Sequence, residues 1–336
     1  MIESIQFRNF KVLRDAKLHL GRCNILVGAN GTGKSTVLQA LSAVREPRSN
    51  KFRRILSLGA ESDSEKGASV EVTLNLSEPF EGLAHVTRWN RERVDASLYP
   101  EEMRRSENVT PALAVVNGIR VYSLDAQAIA APVPVRGGTE LGSNGSGLAA
   151  VLDDLRDTQP ERFEAINQAV ANWLPDFRAI MFEKPGEGRK AIVLQTADGR
   201  YRIPAQDLSQ GTLLALAMLT LAHLPAGPSL LALEEPDRGL HPRLLRHVRD
   251  ALYRLAYPED CRENRPPVQV VATTHSPYFL DLFRDHPEEV VIGNRTGHNV
   301  SFDRLSDRPD IREILGEAPL GEIWYSGILG GVPASP

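Results

Sequence analysis

The sequence predicts an α/β fold: a mixed, mostly parallel sheet flanked by helices, with a helical and β subdomain inserted into it. Three observations carry that prediction. Ile25-Leu26-Val27 is an uninterrupted apolar run that leads into a glycine-rich loop and then a helical pattern, as a central strand covered on both faces does. The last third alternates strand and helix, the order of a parallel sheet. The middle changes character, with a Pro/Gly-rich stretch, two helices and a hairpin.

From the N-terminus, "IESIQFRNFKVLRDAKLHL" alternates at Ile5 and Phe7 and at Leu18 and Leu20, which predicts two strands around a turn. After the helix that follows the glycine loop, "REPRSNKFRR" (45–54) is basic and polar and reads as a loop. "ASVEVTLNL" (68–76) and "GIRVYSL" (118–124) read as strands, with charged, irregular chain between them. "APVPVRGGTELGSNGSG" reads as a linker. "LAAVLDDLRD" and "ERFEAINQAVANWL" read as helices, the second with Phe163, Ile166, Val170 and Trp173 on one face. "AIVLQTADGRYRIP" predicts a hairpin turning at Asp198-Gly199. Helix "GTLLALAMLTLAH", strand "SLLALEE", helix "PRLLRHVRDALYRLA", strand "VQVVATTH" and helix "SPYFLDLF" follow. Segments 1–76 and 201–295 are expected to build one sheet around an insertion at 77–200, with 296–336 as a tail. Sustained heptads are absent between Thr36 and Ser209, so no long coiled-coil arm is expected.

A chain of 336 residues suits one large domain or two ordinary ones. Charged residues at 24% and hydrophobic ones at 42% fit a soluble globular protein. A net charge of −4 announces no nucleic-acid partner, although a local basic stripe is compatible with it. Cys23 and Cys261 lack metal-ligand spacing and read as ordinary buried or semi-buried thiols in a reducing compartment. The N-terminus lacks the apolar core of a signal peptide, and no apolar run is long enough to span a membrane. A cytoplasmic protein with no membrane association is expected.

The strongest chemical signal is "GANGTGKST": Gly28, Ala29, Asn30, Gly31, Thr32, Gly33, Lys34, Ser35 and Thr36. It fits G-x-x-x-x-G-K-[ST], follows a buried strand and opens a helix. Glycines let the backbone curl its N–H groups around phosphates, and the helix points its positive end at them. Lys34 supplies charge to the β and γ oxygens, and Ser35 offers a hydroxyl to Mg²⁺. A bare glycine turn is the alternative, and strand and helix on either side argue against it.

"SLLALEEPDRGLHP" (229–242) runs an apolar strand into Glu234 and Glu235. Strand neighbours point to opposite sides, so the two carboxylates are given different tasks. Glu234 is assigned to the Mg²⁺ shell and Glu235 to the water in line with the γ-phosphate. The competing reading is a strand that simply ends in solvated charge. "VVATTHSP" (270–277) is another apolar strand ending in polar residues, and His275 there is placed to hydrogen-bond the γ-phosphate or the attacking water. A lone histidine would be structural. "DLSQGTLLALAML" sets Ser209 and Gly211 before an apolar helix, either as a simple cap or as a second anion-binding N-terminus serving another subunit's nucleotide.

These four pieces, in this order, resemble the ABC-type ATPases, and specifically the RecF/SMC/OLD-like branch. "GANGTGKST" is similar to the Walker A motif, "LSQGT" to the signature motif, "LLALEEPDRGLHP" to the Walker B motif with its D-loop, and "TTHSP" to the switch-histidine segment. "FRNFK" (Phe7–Lys11) is similar to how that branch begins, and "LGEIWYSGILGG" (320–331) to its tail. The resemblance implies an ABC-type P-loop ATPase head that hydrolyses ATP with Mg²⁺. It further implies a homodimer with two ATP molecules sandwiched between the copies. Ser209 and Gly211 of one chain would then meet the γ-phosphate held by Gly28–Thr36 of the other. It also implies a glutamine linking Mg²⁺ to the inserted domain, for which Gln127 is the candidate; "SLDAQAI" departs from the usual strand-then-Gln pattern.

Transporter ATPases carry LSGGQ followed by basic residues, unlike "LSQGTLLALAML" here. Chromosome-structuring ATPases need long arms, and an OLD-type nuclease needs a further domain of roughly a hundred residues. The expectation is therefore anti-phage defence with a separately encoded, nuclease-like effector. RecF-like DNA repair and a slow ATP-gated scaffold that sequesters a toxic partner are the alternatives. DNA is a candidate partner through Arg45, Arg48, Lys51, Arg53 and Arg54, which otherwise form a solvated loop.

Overall fold

The computed structural model describes residues 1–57, 68–101, 107–134, 140–186, 188–225 and 227–331. Part of the expected linker, 135–139, lies outside them. The chain forms two compact units: Met1–Val121 with Pro228–Glu234 and Arg265–Pro336, and Tyr122–Gly227 with Glu235–Asn264.

The chain enters the first unit through strands β1 (Ile2–Phe10), β2 (Leu13–His19) and β3 (Cys23–Val27), then helices α1 (Lys34–Arg45) and α2 (Phe52–Ile55). Strands β4 (Val70–Leu76), β5 (Ala84–Trp89) and β6 (Val94–Tyr99), helix α3 (Val109–Asn117) and strand β7 (Ile119–Tyr122) follow. The next segment holds α4 (Ala126–Ala130), β8 (Val133–Pro134), α5 (Leu148–Thr158), α6 (Pro160–Trp173), β9 (Phe177–Glu183), β10 (Arg189–Thr196), β11 (Arg202–Pro204) and α7 (Gln210–His223). Then come β12 (Leu230–Glu234), α8 (Pro242–Ala256), β13 (Gln269–Thr274), α9 (Pro277–Leu280), β14 (Val290–Thr296), β15 (Asn299–Arg304), α10 (Ile311–Glu317) and α11 (Leu320–Tyr325).

The expected single sheet is two. A six-stranded sheet has the order β15-β14-β3-β13-β12-β7, and a five-stranded one runs β2-β1-β4-β5-β6. In the first, β14, β3, β13 and β12 are parallel and β15 is antiparallel at one edge. Burial explains the split. Every residue of β3 and β13 is buried, as a sheet covered on both faces requires, whereas β4 alternates strictly. One-sided strands belong in an antiparallel sheet with one wet face. Its inner face packs Phe7, Phe10, Val72, Leu74 and Trp89, with Phe10 and Trp89 edge to face at 6.3 Å.

The stretch expected to be irregular between 77 and 117 instead holds β5, β6 and α3, which belong to the first unit. The polar composition of β6 concealed it: as an edge strand it exposes Val94, Asp95 and Ala96. The basic 45–54 segment is likewise not plain loop, since it carries a turn of 3₁₀ helix at Pro47–Ser49 and the start of α2.

The second unit is therefore not the expected 77–200 insertion. It extends to α7 and α8, because α7 buries every residue from Leu213 to His223 and packs against both α6 and α8. A helix apolar all round is buried on every side. On α6, Phe163, Ile166 and Val170 are buried, while Trp173 is half-buried and stacks on His247 at 5.3 Å. The hairpin forms as expected between β10 and β11 with Gly199 at φ 74°, and β9 adds a strand that the sequence pattern did not reveal.

Cys23 is buried, and desolvation there pushes its thiol well above the usual range; Cys261 is exposed, against the expectation of two sheltered thiols. Among the described residues no helix is long and apolar enough to cross a membrane. Between Thr36 and Ser209 the longest described helix is α6, at 14 residues, so no arm is present there among them.

Candidate functional site

Strand β3 delivers the chain to Gly28, and the loop closes at Gly33, whose left-handed φ of 90° starts α1. A Cβ at Gly33 would lie 2.7 Å from Leu13 Cδ2, and one at Gly28 would lie 2.5 Å from the Gly293 carbonyl oxygen. At these two positions the loop is thus seated flush against the β1–β2 hairpin and the middle of β14, with no room for a side chain. Inside it, Lys34 Nζ donates to the carbonyl oxygens of Gly28 at 2.6 Å and Ala29 at 2.9 Å. Thr32 Oγ1 also donates to Ala29 O, at 2.9 Å. Lys34 is only 5% exposed, and a buried ammonium needs such acceptors. Asn30, Gly31 and Ser35 are exposed, Ala29 and Thr36 are half-buried, and α1 has no acidic residue in its first turn. A backbone cradle, a buried ammonium and an acid-free helix N-terminus suit a phosphate chain.

Glu234 ends β12 opposite Thr273 of β13, and Thr274 lies opposite Val27 of β3. The carboxylate strand and the P-loop strand therefore flank β13, about 10 Å apart at typical strand spacing. Just beyond β13, His275 is exposed and fixed by its neighbours. Thr274 Oγ1 accepts from Ser276 N at 3.0 Å, and Ser276 Oγ accepts from Phe279 N at 3.2 Å as the cap of α9. The first unit thus gathers Gly28–Thr36, Glu234 and His275 at the carboxyl edge of three adjacent strands, the edge where α/β sheets bind ligands.

Glu235 stands apart. The strand stops at Glu234, and Glu235 has φ 44°, so strand alternation does not orient the pair as the sequence suggested. It pairs with Arg238 at 3.9 Å and is the first residue of its segment of the second unit. That unit also carries Ser209, Gly211 and Gln127. Ser209 Oγ accepts from Thr212 N at 3.1 Å, capping α7 as expected. A Cβ on Gly211 would lie 3.0 Å from the Gly239 carbonyl oxygen, so the helix start is packed against the "PDRGLHP" turn. Gln127 is exposed on α4 and lines a pocket of about 530 Å³ with Gln206, Leu208, Gln210 and Leu213, which brings it beside the segment leading into α7.

The basic 45–54 run is not one stripe. Arg53 and Arg54 line a pocket of about 350 Å³ with Lys11, Arg14, Arg295 and His298. Arg295 reaches the P-loop: its guanidinium is 3.1 Å from where a Cβ of Gly31 would be. Arg48 lines a separate recess with Arg91 and Arg93, Arg45 pairs with Glu46 at 3.4 Å, and Lys51 is exposed. Arg14, Arg295 and His298 were not legible as a group from sequence, because their segments are far apart in the chain. Among the described residues no group of three or more His, Cys, Asp or Glu could hold a metal alone. A cation at Ser35 and Glu234 would thus complete its shell with phosphate oxygens or water.

A P-loop on a parallel sheet, with a carboxylate and a histidine on neighbouring strand ends, defines the class of P-loop ATPases. Residues 1–97 match the family described as "AAA ATPase domain", and residues 120–281 that described as "AAA domain, putative AbiEii toxin, Type IV TA system". An OLD nuclease from Thermus scotoductus is 23% identical over 364 residues, covering 96% of this chain and 68% of that protein. Among solved structures, the SMC head bound to the C-terminal winged-helix domain of ScpA aligns with a TM-score of 0.60 at 17% identity. It covers 90% of this chain and 97% of the other. The SMC head domain from Thermotoga maritima gives 0.50 at 15%, covering 90% and 98%. The structural likeness speaks for the fold. The sequence matches make this chain an ATPase-type protein of the broad ABC/AAA class, similar to the RecF/SMC/OLD type.

Proposed function

We propose that this protein hydrolyses ATP as a homodimer that closes around two nucleotides, and that this closure serves anti-phage defence through a separately encoded, nuclease-like effector. The observation that carries the ATPase reading is the buried Lys34 ammonium inside a glycine cradle, on the strand edge that also bears Glu234 and His275. In this reading Gly28–Thr36 hold the phosphates, Lys34 neutralises their charge, and His275 bonds the γ-phosphate or the attacking water. Glu235 orients or polarises that water. Mg²⁺, when bound, would neutralise charge on the phosphates, held by Ser35 and Glu234 with Gln127 linking it to the second unit. Ser209 and Gly211 would complete the site of the partner copy. Support for an effector comes from the relative that is itself a nuclease and of which the match spans 68%.

A second reading, direct DNA binding in repair, is favoured by the basic pocket beside Gly31. One experiment addresses both. The protein is purified with its flanking gene products, and phosphate release is measured with and without duplex DNA, against Lys34→Ala. Turnover that disappears in Lys34→Ala is expected. Equal turnover in the two proteins sinks the ATPase reading, and a nuclease-free set of neighbours sinks the effector.

A further inference from the structure

The tail "LGEIWYSGILGG" (320–331) takes no part in the ATP chemistry, yet its ends reach two segments that do. At one end, α11 docks on α9, the helix that follows His275. Gly321 N donates to Asp281 Oδ1 at 2.7 Å, and a Cβ on Gly321 would collide with the Pro277 carbonyl oxygen. Leu320, Ile323, Trp324 and Leu329 are buried along the way, so the segment is held rather than draped. At the other end Gly330 and Gly331 have φ of 78° and 66°, and Gly331 N donates to Asn294 Oδ1 at 2.6 Å. Asn294 Nδ2 in turn donates to Asp303 at 2.9 Å, which fixes the amide. A Cβ on Gly331 would lie 2.9 Å from Ile292 Cγ2 and 3.2 Å from Gly28 Cα. The tail backbone therefore rests on the first glycine of the P-loop, the residue whose carbonyl holds Lys34.

We propose that residues 320–331 form a strap joining the His275 segment to the root of the P-loop, with Asn294 and Gly331 as positioning residues for Gly28. The inference rests on the ATP reading of the P-loop. Because close-packed contacts do not compress, a displaced Gly331 moves Gly28 and with it the acceptor that holds the phosphate-binding Lys34 ammonium.

The test compares two glycines of like conformation. Gly331→Ala adds a methyl into the contact with Gly28, whereas Gly297→Ala adds one at φ 63° with nothing within 4 Å. Both carry left-handed strain, so a difference between them reports the contact. Binding of a fluorescent, non-hydrolysed ATP analogue is expected to weaken by about tenfold or more in Gly331→Ala, with a matching rise in the KM for ATP at unchanged kcat. Gly297→Ala is expected to stay within about twofold of wild type. Equal affinities in the two variants overturn the strap. If Gly331→Ala does not fold, Asn294→Ala decides, since it removes the acceptor and adds no atoms. It is expected to weaken binding severalfold, and wild-type affinity overturns the proposal. A wild-type protein that binds no nucleotide overturns the ATP reading as well, whereas normal binding by wild type and variants removes the strap alone.

Discussion

Glu235 sits where strand geometry stops. Its φ of 44° is a left-handed backbone that a residue with a Cβ adopts at a cost of roughly 1–2 kcal/mol. Glycine there would relieve that strain and give back part of it through a more flexible unfolded chain. Glu235→Gly is therefore expected to raise the unfolding free energy by up to about 1 kcal/mol, read by urea titration. If Glu235 activates the water, the same substitution ends hydrolysis, so stability and activity move in opposite directions. Glu235→Gln keeps the shape and is expected to bind ATP, stop phosphate release and accumulate dimers in gel filtration. A Gln variant with wild-type turnover would remove Glu235 from its role. The adjacent pair was legible in the sequence as an apolar strand running into paired charge. Its orientation was not, because a run of letters carries no backbone angle.

At the scale of single elements, β5 contains a buried histidine. His85 is 4% exposed, and desolvation pushes its pKa from 6.5 down to about 4. The folded protein holds it neutral, while the unfolded chain takes up a proton below about 6.5. The unfolded state then binds more protons, so stability falls as pH drops from about 6.5 to about 4, and above that window the effect is absent. The full loss is on the order of 3 kcal/mol. Urea titrations at pH 7.5 and 4.5 should show a smaller acid loss for His85→Asn than for wild type; identical losses would place the acid sensitivity elsewhere. The element itself was hidden in the sequence. Its charged neighbours and the polar edge strand β6 mask the alternation that β4 displays openly. By contrast α7 and α8 were readable end to end, because an apolar or amphipathic helix writes its period over many residues.

For the whole molecule, net charge says little: the chain carries −4, yet Lys11, Arg14, Arg53, Arg54 and Arg295 converge on one pocket. If that pocket meets a DNA backbone, Arg53→Gln with Arg54→Gln is expected to weaken binding to any sequence alike. The slope of log affinity against log salt should fall by about two. Unchanged affinity and slope would leave the pocket without a DNA role.

The sequence by itself determined the P-loop, the buried strands and the polar residues at their ends, because each is a local pattern with a local physical cause. Gly28 to Thr36 must curl, Ile25 to Val27 must be covered, and Ser209 must cap. Tertiary structure alone decided that β13 lies between β3 and β12, that β1, β2 and β4 leave the central sheet, and that α7 and α8 share a unit. It also decided that Arg14, Arg53 and Arg295 meet, and that Gly331 rests on Gly28. Those facts depend on which faces find partners across hundreds of residues, and burial, not sequence order, chooses among the partners.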